Sequence, residues 1–237
     1  RAMKLVSSAK FSRANQNVLK ARPYAQVLEE LLLTSASLLQ DPDNQPVLLQ
    51  ERPEQKALVV VLTTDRGLCG ALNANLLRQC ALFLDEKASQ GVVCELALWG
   101  KKAQAFRKKR KEKTFDQLQK VLDKPDFSFC QKWSQKVLES CIQGRWDRVY
   151  VVYSKFKNAI SQEPEVLQMV PVKFGDHPKK STKDFSQRVV IEPADVSFLE
   201  TLLQLRLANQ LWGVLLAAAA SEHAARMTAM DNATKNA

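Results

Sequence analysis

Two stretches at opposite ends of this chain repeat apolar residues at alternating steps of three and four, and nothing else restricts the fold as strongly. In the first, Phe11, Ala14, Val18, Ala21, Ala25, Leu28, Leu32, Ser35 and Leu39 keep the 3.5-residue period of a coiled-coil seam for about four heptads. Pro23 falls inside it. A proline within a helix costs about 3 kcal/mol, yet the apolar phase continues past it, which predicts a bend and not a break. Asp41-Pro42-Asp43 is a stop. In the second stretch Phe198, Leu202, Leu205, Asn209, Trp212, Leu216, Ala219, His223, Arg226, Met230 and Ala233 step in the same way. That helix is expected to start near Pro193, a good first helical residue, and to form a rod of about 65 Å at 1.5 Å per residue. Leu211 to Ala220 is apolar on every side, so it must touch more than one neighbour. The economical arrangement is an antiparallel coiled coil. A rod that long cannot bury its outer faces within one small domain, which predicts a sheath of other chains.

Between the helices the period changes. Ala57 to Leu62 is a continuous apolar run of strand length, the pattern of a strand buried on both faces of a parallel sheet. A turn at Asp65 to Gly70 follows, then a helical stretch from about Asn73 to Ala88 closed by Gly91. Val92 to Trp99 reads as a second strand, Lys101 to Lys111 as its helix, Phe127 to Cys141 as another helix and Arg148 to Tyr153 as a further strand. Val166 to Phe174 and Arg188 to Ile191 add two more strands, with an exposed loop over Gly175 to Asp184. The alternation predicts an α/β, Rossmann-like doubly wound domain at 53–192. Residues 1–52 and 193–237 then form the two arms of the coiled coil.

The net charge of +10 over 237 residues is concentrated. Residues 1–40 carry +4, residues 101–113 carry +7, and residues 193–237 carry −1. A uniform basic coat would point to nucleic acid; two local concentrations do not, and no nucleic-acid partner is expected. The run from Lys101 to Lys113 reads as a solvated helix, or as a surface for phosphates, lipid headgroups or an acidic protein. Five cysteines without a C-x-x-C pair argue against a disulfide scaffold and for a reducing compartment. Cys130 and Cys141 would lie about 16 Å apart along a helix, beyond disulfide reach. No apolar run approaches the roughly 18 residues that span a bilayer, so the chain is expected to be soluble and intracellular.

Catalytic constellations fail one by one. The strand–turn–helix at Val59 to Asn75 occupies the place of a phosphate loop, but no Gly-Lys-Ser/Thr and no G-x-G-x-x-G follows. Gly67 and Gly70 then read as a tight turn with close helix–sheet packing, and Asp65 as a turn residue paired with Arg66. Cys69, after a strand and before a helix, resembles the nucleophile of a thiol hydrolase. That reading stands as the alternative, although Ala71 replaces the expected glycine and a thiolate needs a base. Only His177 and His223 are available, and His223 reads as a packed residue of the helix seam. Two distant histidines and irregular cysteines make no metal set. No cofactor, metal or catalytic residue is expected.

Three stretches carry a family resemblance: Arg1 to Lys10, Thr64-Asp-Arg-Gly-Leu-Cys-Gly70 with Leu72-Asn73, and Ala219 to Asn236. In these the chain resembles the gamma subunit family of rotary F-type ATP synthases, and the layout matches over its whole length. The resemblance implies a central-stalk rotor subunit without catalytic activity of its own. Its coiled coil would stand inside a ring of alpha and beta subunits, and its α/β domain would rest beside the epsilon subunit and on the c ring. It would couple proton or sodium flow to ATP synthesis and regulate ATPase activity and ion flow. It would be peripheral to the membrane, on the cytoplasmic face of a bacterial inner membrane. Lys4, Lys10, Arg13, Lys20 and Arg22 would meet acidic loops of the beta subunits, and Met3 would lie near the lever loop of the catalytic subunit. Lys179, Lys180 and Lys183 would face the c ring or lipid headgroups, and Glu222 and Arg226 are further interface candidates. The family's helices extend beyond both ends of this sequence, so the chain is expected to be a fragment or a trimmed form.

Overall fold

A computed structural model describes residues 2–38, 45–173 and 196–236 of the chain. Helix α1 spans Ala2–Leu38 and passes through Pro23 without interruption. Strand β1 (Lys56–Leu62) leads to α2 (Leu72–Ser89), and β2 (Val93–Trp99) to the short α3 (Lys101–Phe106). A single 3-10 turn, Arg107–Lys109, precedes β3 (Lys113–Leu118). Next come α4 (Phe127–Ile142), β4 (Arg148–Phe156), β5 (Gln162–Val170) and the long α5 (Val196–Lys235).

The five strands form one sheet in the order β3-β2-β1-β4-β5. Four are parallel, and β5 runs antiparallel to β4 at one edge. Central β1 explains its own composition. Alternate residues Leu58, Val60 and Leu62 join Trp99, Val151 and Tyr153 in a core shared with α1, α4 and α5, while Ala57, Val59 and Val61 join Leu76, Cys80 and Leu84 of α2. Both faces are buried, so neither set of positions could be polar.

Two strands depart from expectation. The helix expected at Lys101 to Lys111 stops at Phe106, and an unforeseen strand, β3, takes up the end of the basic run. β5 begins at Gln162, four residues before the expected Val166, and contains Pro164 opposite Ser154. A proline is tolerated there because β5 is an edge strand with one side free of ladder bonds. The strand expected at 188–191, the loop at 175–184, the stop at 41–43 and the helix start at Pro193 lie outside the described residues.

The two long helices are antiparallel partners. Lys4 pairs with Asp231, and Glu29 with Arg206; a step of 25 residues along α1 (4 to 29) matches 25 backwards along α5 (231 to 206). At 1.5 Å per residue, the 37-residue α1 is about 55 Å long and the 40-residue α5 about 60 Å. The expected seam is the inward one: Leu28, Leu32 and Ser35 are buried, while Phe11, Ala14, Val18, Ala21 and Ala25 are half-buried. By length and composition α5 could cross a bilayer, but 61% of its most apolar 18-residue window is buried inside the chain. It packs on α1, α4, β4 and β5, which is why Leu211 to Ala220 can be apolar all round.

One glycine is fixed by a close approach. Gly100 has φ +98°, and a Cβ there would lie 2.2 Å from the Thr63 carbonyl oxygen. Its ψ of 149° completes a conformation open almost only to glycine. Gly100→Ala therefore combines backbone strain with a backbone clash and is expected to cost about 2–5 kcal/mol. Urea unfolding of the variant checks this, with a loss below about 1 kcal/mol as the contrary result.

Candidate functional site

The segment after β1, which the sequence marks as chemically suspicious, is built as a joint. Thr63 extends β1, its amide donating to the Trp99 carbonyl at 2.8 Å. Asn73, in the first turn of α2, folds the loop over itself. Its Oδ1 accepts from the Thr64 amide at 3.1 Å, and its Nδ2 donates to Thr64 Oγ1 at 2.8 Å and to Cys69 Sγ at 3.2 Å. Gly70 has φ +57°, which favours glycine. A Cβ at Gly67 would meet nothing, so close packing does not explain that glycine.

Asp65 does not pair with Arg66, as expected from sequence. Its carboxylate accepts from the backbone amides of Lys101 (3.2 Å) and Lys120 (2.7 Å). It thereby ties together the loops that follow β1, β2 and β3. A carboxylate pointed at peptide N–H groups satisfies donors that no ladder or helix reaches.

Onto this platform comes α5. Arg226 donates from Nε to the Gly67 carbonyl (3.2 Å) and from Nη2 to Glu222 Oε1 (2.7 Å). Both charged side chains are only 8% exposed. One position earlier in the helix, Ser221 Oγ donates to the Ser154 carbonyl of β4 at 2.9 Å. Burial raises the Glu222 carboxyl above its ordinary range; Arg226 opposes this, and Asp123 and Asp65 add to it. Glu222 and Arg226, expected at an interface with another subunit, are instead buried fasteners between α5 and the α/β domain. Spacing puts Arg226 in the helix seam, but sequence reasoning missed the acceptors, the Gly67 carbonyl for Arg226 and the Ser154 carbonyl for Ser221.

His223 sits beside this joint in a cavity of about 220 Å³ bordered by Lys10, Arg13 and Asn17 of α1 and by Asp123. Its Nδ1 is buried without a hydrogen-bond partner. Burial, then the positive charges of Arg226 and Lys10, lower its pKa to about 4 against the partial opposition of Asp123. It is a neutral packed histidine. Cys69 is 3% exposed, and its sulfur contacts are Asn73 and Thr64. Among the described residues no base reaches that sulfur; His177 lies outside them. The other four cysteines are buried and free as well, and burial lifts the thiols of Cys80, Cys130 and Cys141 to about 12. Among the described residues no group of three or more His, Cys, Asp or Glu side chains could hold a metal.

Helix α1 carries the other candidates. Met3 is 51% exposed. Lys4 is committed to Asp231, whereas Lys10, Arg13, Lys20 and Arg22 are exposed and have no ion pair among the described residues. Lys10 and Arg13 meet at the His223 cavity; Lys20 and Arg22 stand apart, further along the helix. Between these charges Leu5, Val6, Leu19, Tyr24 and Val27 are each 45–70% exposed. Lys179, Lys180 and Lys183 lie outside the described residues.

A long antiparallel helix pair fastened through buried bonds to an α/β domain, with an apolar and basic outer face, defines a shaft-bearing subunit. A sequence profile of the family described as ATP synthase matches residues 1–237. The ATP synthase gamma chain of Geobacter metallireducens is 37% identical over 238 residues, covering 100% of this chain and 80% of that protein. That of Anaeromyxobacter sp. strain Fw109-5 is 38% identical, covering 100% and 81%. In fold, the chain is similar to one from the central stalk and c ring of Tetrahymena thermophila mitochondrial ATP synthase (TM-score 0.67, 22% identity, 98% of each chain). It is also similar to one from the rotor of the Euglena gracilis mitochondrial enzyme (TM-score 0.54, 18% identity, 97% and 92%). The chain belongs to the ATP synthase gamma chain family.

Arg226→Met leaves Glu222 buried without its counter-charge, and such losses cost about 3–5 kcal/mol. Adding Glu222→Leu is expected to restore most of that stability in urea unfolding; a double variant no better than the single one contradicts the pairing. His223 is held neutral, so its contribution to stability is complete above about pH 6.5 and declines as pH falls from there towards about 4. His223→Gln is expected to flatten that part of the stability–pH curve, and an unchanged slope contradicts it.

Proposed function

We propose that this chain is the central-stalk rotor subunit of an F-type ATP synthase, transmitting torque between a membrane ring and a catalytic hexamer while carrying out no catalysis itself. The observation that carries the proposal is the outer face of α1. Six large apolar side chains there, Met3 among them, are 45–70% exposed along one helix, a surface that a lone monomer keeps out of water by acquiring neighbours. Lys10, Arg13, Lys20 and Arg22, unpaired among the described residues, are positive, which suits acidic loops on beta subunits. Residues 1–52 and 193–237 act as the shaft and 53–192 as its base, next to an epsilon subunit and a c ring. The chain is then a peripheral protein on the cytoplasmic face of a bacterial inner membrane, coupled to proton or sodium flow.

Torque follows a path of named contacts. A twist of the sheet reaches α5 through Ser154–Ser221 and through Gly67–Arg226. It passes to α1 through the seam and the Glu29–Arg206 and Lys4–Asp231 pairs. Many small packing contacts share the load, so no single bond must bear it. Contacts between shaft and sleeve have to be exchangeable, and exposed, salt-screened charges provide that.

Co-expression of the full-length chain with alpha and beta subunits is expected to yield one copy per hexamer; absence from the purified hexamer contradicts the proposal. In the assembled enzyme, Met3→Lys adds a cation to the exposed face near the acidic loops. It is expected to lower ATP-driven ion pumping several-fold relative to ATP hydrolysis, and unchanged coupling refutes that role for Met3.

A further inference from the structure

In open α/β sheets, ligands usually bind outside the carboxyl ends of the strands. Here that end is filled by the protein's own joint with α5. The opposite end carries a cleft of about 590 Å³, within the range of small-ligand sites. It opens at the starts of three neighbouring strands: Lys56 begins β1, Val93 begins β2 and Lys113 begins β3. Its floor is apolar, made by Val93, Cys94 and Trp146. Val93 is 65% exposed, whereas Trp146 is buried. Burial pushes the Cys94 thiol up to about 11, so it is uncharged at neutral pH.

The charges around that floor are unequal. Both carboxylates are already engaged. Glu95 Oε2 accepts from Arg145 Nε (3.1 Å) and Nη2 (2.9 Å) and from Trp146 Nε1 (3.2 Å). Glu112 is held by Arg110, which opposes the effect of burial and keeps its carboxyl below the ordinary range. Three cations on the rim, Lys56, Lys111 and Lys113, are exposed and have no ion pair among the described residues. Two of them are the end of the basic run, which therefore does not sit on one solvated helix. Its Arg107 is tied to Thr114 and its Arg110 to Asp85 and Glu112, leaving Lys111 and Lys113 for the cleft.

We propose that this cleft binds a phosphate-bearing ligand with an apolar body, the phosphate held by Lys56, Lys111 and Lys113 and the apolar part lying on exposed Val93. The chemistry fits either the headgroup of an anionic phospholipid or a free phosphate ester. Neither source depends on the rotor reading, and the site is separate from the shaft.

The test uses the full-length chain and soluble dihexanoyl phosphatidylglycerol, with binding read by calorimetry and by displacement with inorganic phosphate. Saturable binding is expected. Lys111→Ala/Lys113→Ala is expected to weaken it roughly tenfold or more, as losing a charge-assisted hydrogen bond would, and Lys56→Glu is expected to do the same. Lys101→Ala/Lys102→Ala removes equal charge from the same basic run outside the cleft and is expected to leave binding unchanged. Flotation with phosphatidylglycerol vesicles against phosphatidylcholine vesicles separates the sources. Recruitment that depends on Lys111 and Lys113 identifies a lipid headgroup, and soluble binding without recruitment identifies a free ester. Absence of saturable binding, or equal weakening by the Lys101/Lys102 variant, overturns the proposal.

Discussion

The structure depends on the simultaneous burial of one helix against two kinds of partner. Between Leu199 and Arg226, α5 meets α1 along one side and α4 and the sheet along another. Leu203, Leu207, Leu211, Leu215 and Ala220 are essentially inaccessible to water. Burying apolar area contributes roughly 25 cal/mol per Å², so this segment supplies much of what holds the helix pair to the domain. A helix pair packed only on itself could swivel; a helix built into the domain's own core cannot.

Buried polar contacts then fix direction. Hydrophobic packing tolerates small slides, but Ser221 on a β4 carbonyl and Arg226 on the Gly67 carbonyl each have one geometry. The Glu222–Arg226 pair is poor evidence for stability, since desolvating two charges costs several kcal/mol. Its value lies in orientation: Glu222 holds the guanidinium where its Nε reaches the loop. Asp65 acts similarly one layer below, gathering three loops through backbone amides. The outer face of α1 contrasts with this. Lys10, Arg13, Lys20 and Arg22 of that helix have no ion pair among the described residues.

Most of the architecture was legible because it is written in periodicity. The steps of three and four located both rods and the inward seam, and the unbroken run Ala57 to Leu62 identified a strand buried on both faces. β3 was not legible: Lys-Thr-Phe-Asp-Gln-Leu alternates weakly, starts within a lysine run, and becomes a strand only by pairing with β2. Pro164 hid the start of β5 because its acceptability depends on an edge position that only the assembled sheet defines. Glu222 and Arg226, interface candidates in the sequence, are covered by the chain's own domain. The burial of a charge is decided by the neighbour that covers it, here a loop some 160 residues earlier in the chain.

Hydrogen exchange under increasing denaturant, on the full-length chain within its complex, examines the mechanical unity of rod and base most directly. If α5 is built into the domain core, amides from Leu207 to Arg226 will open in the same cooperative unit as β1 and β4, with equal free energies. If those helical amides open at much lower free energy than the central strands, the rod is only attached to its base and cannot carry twist through it.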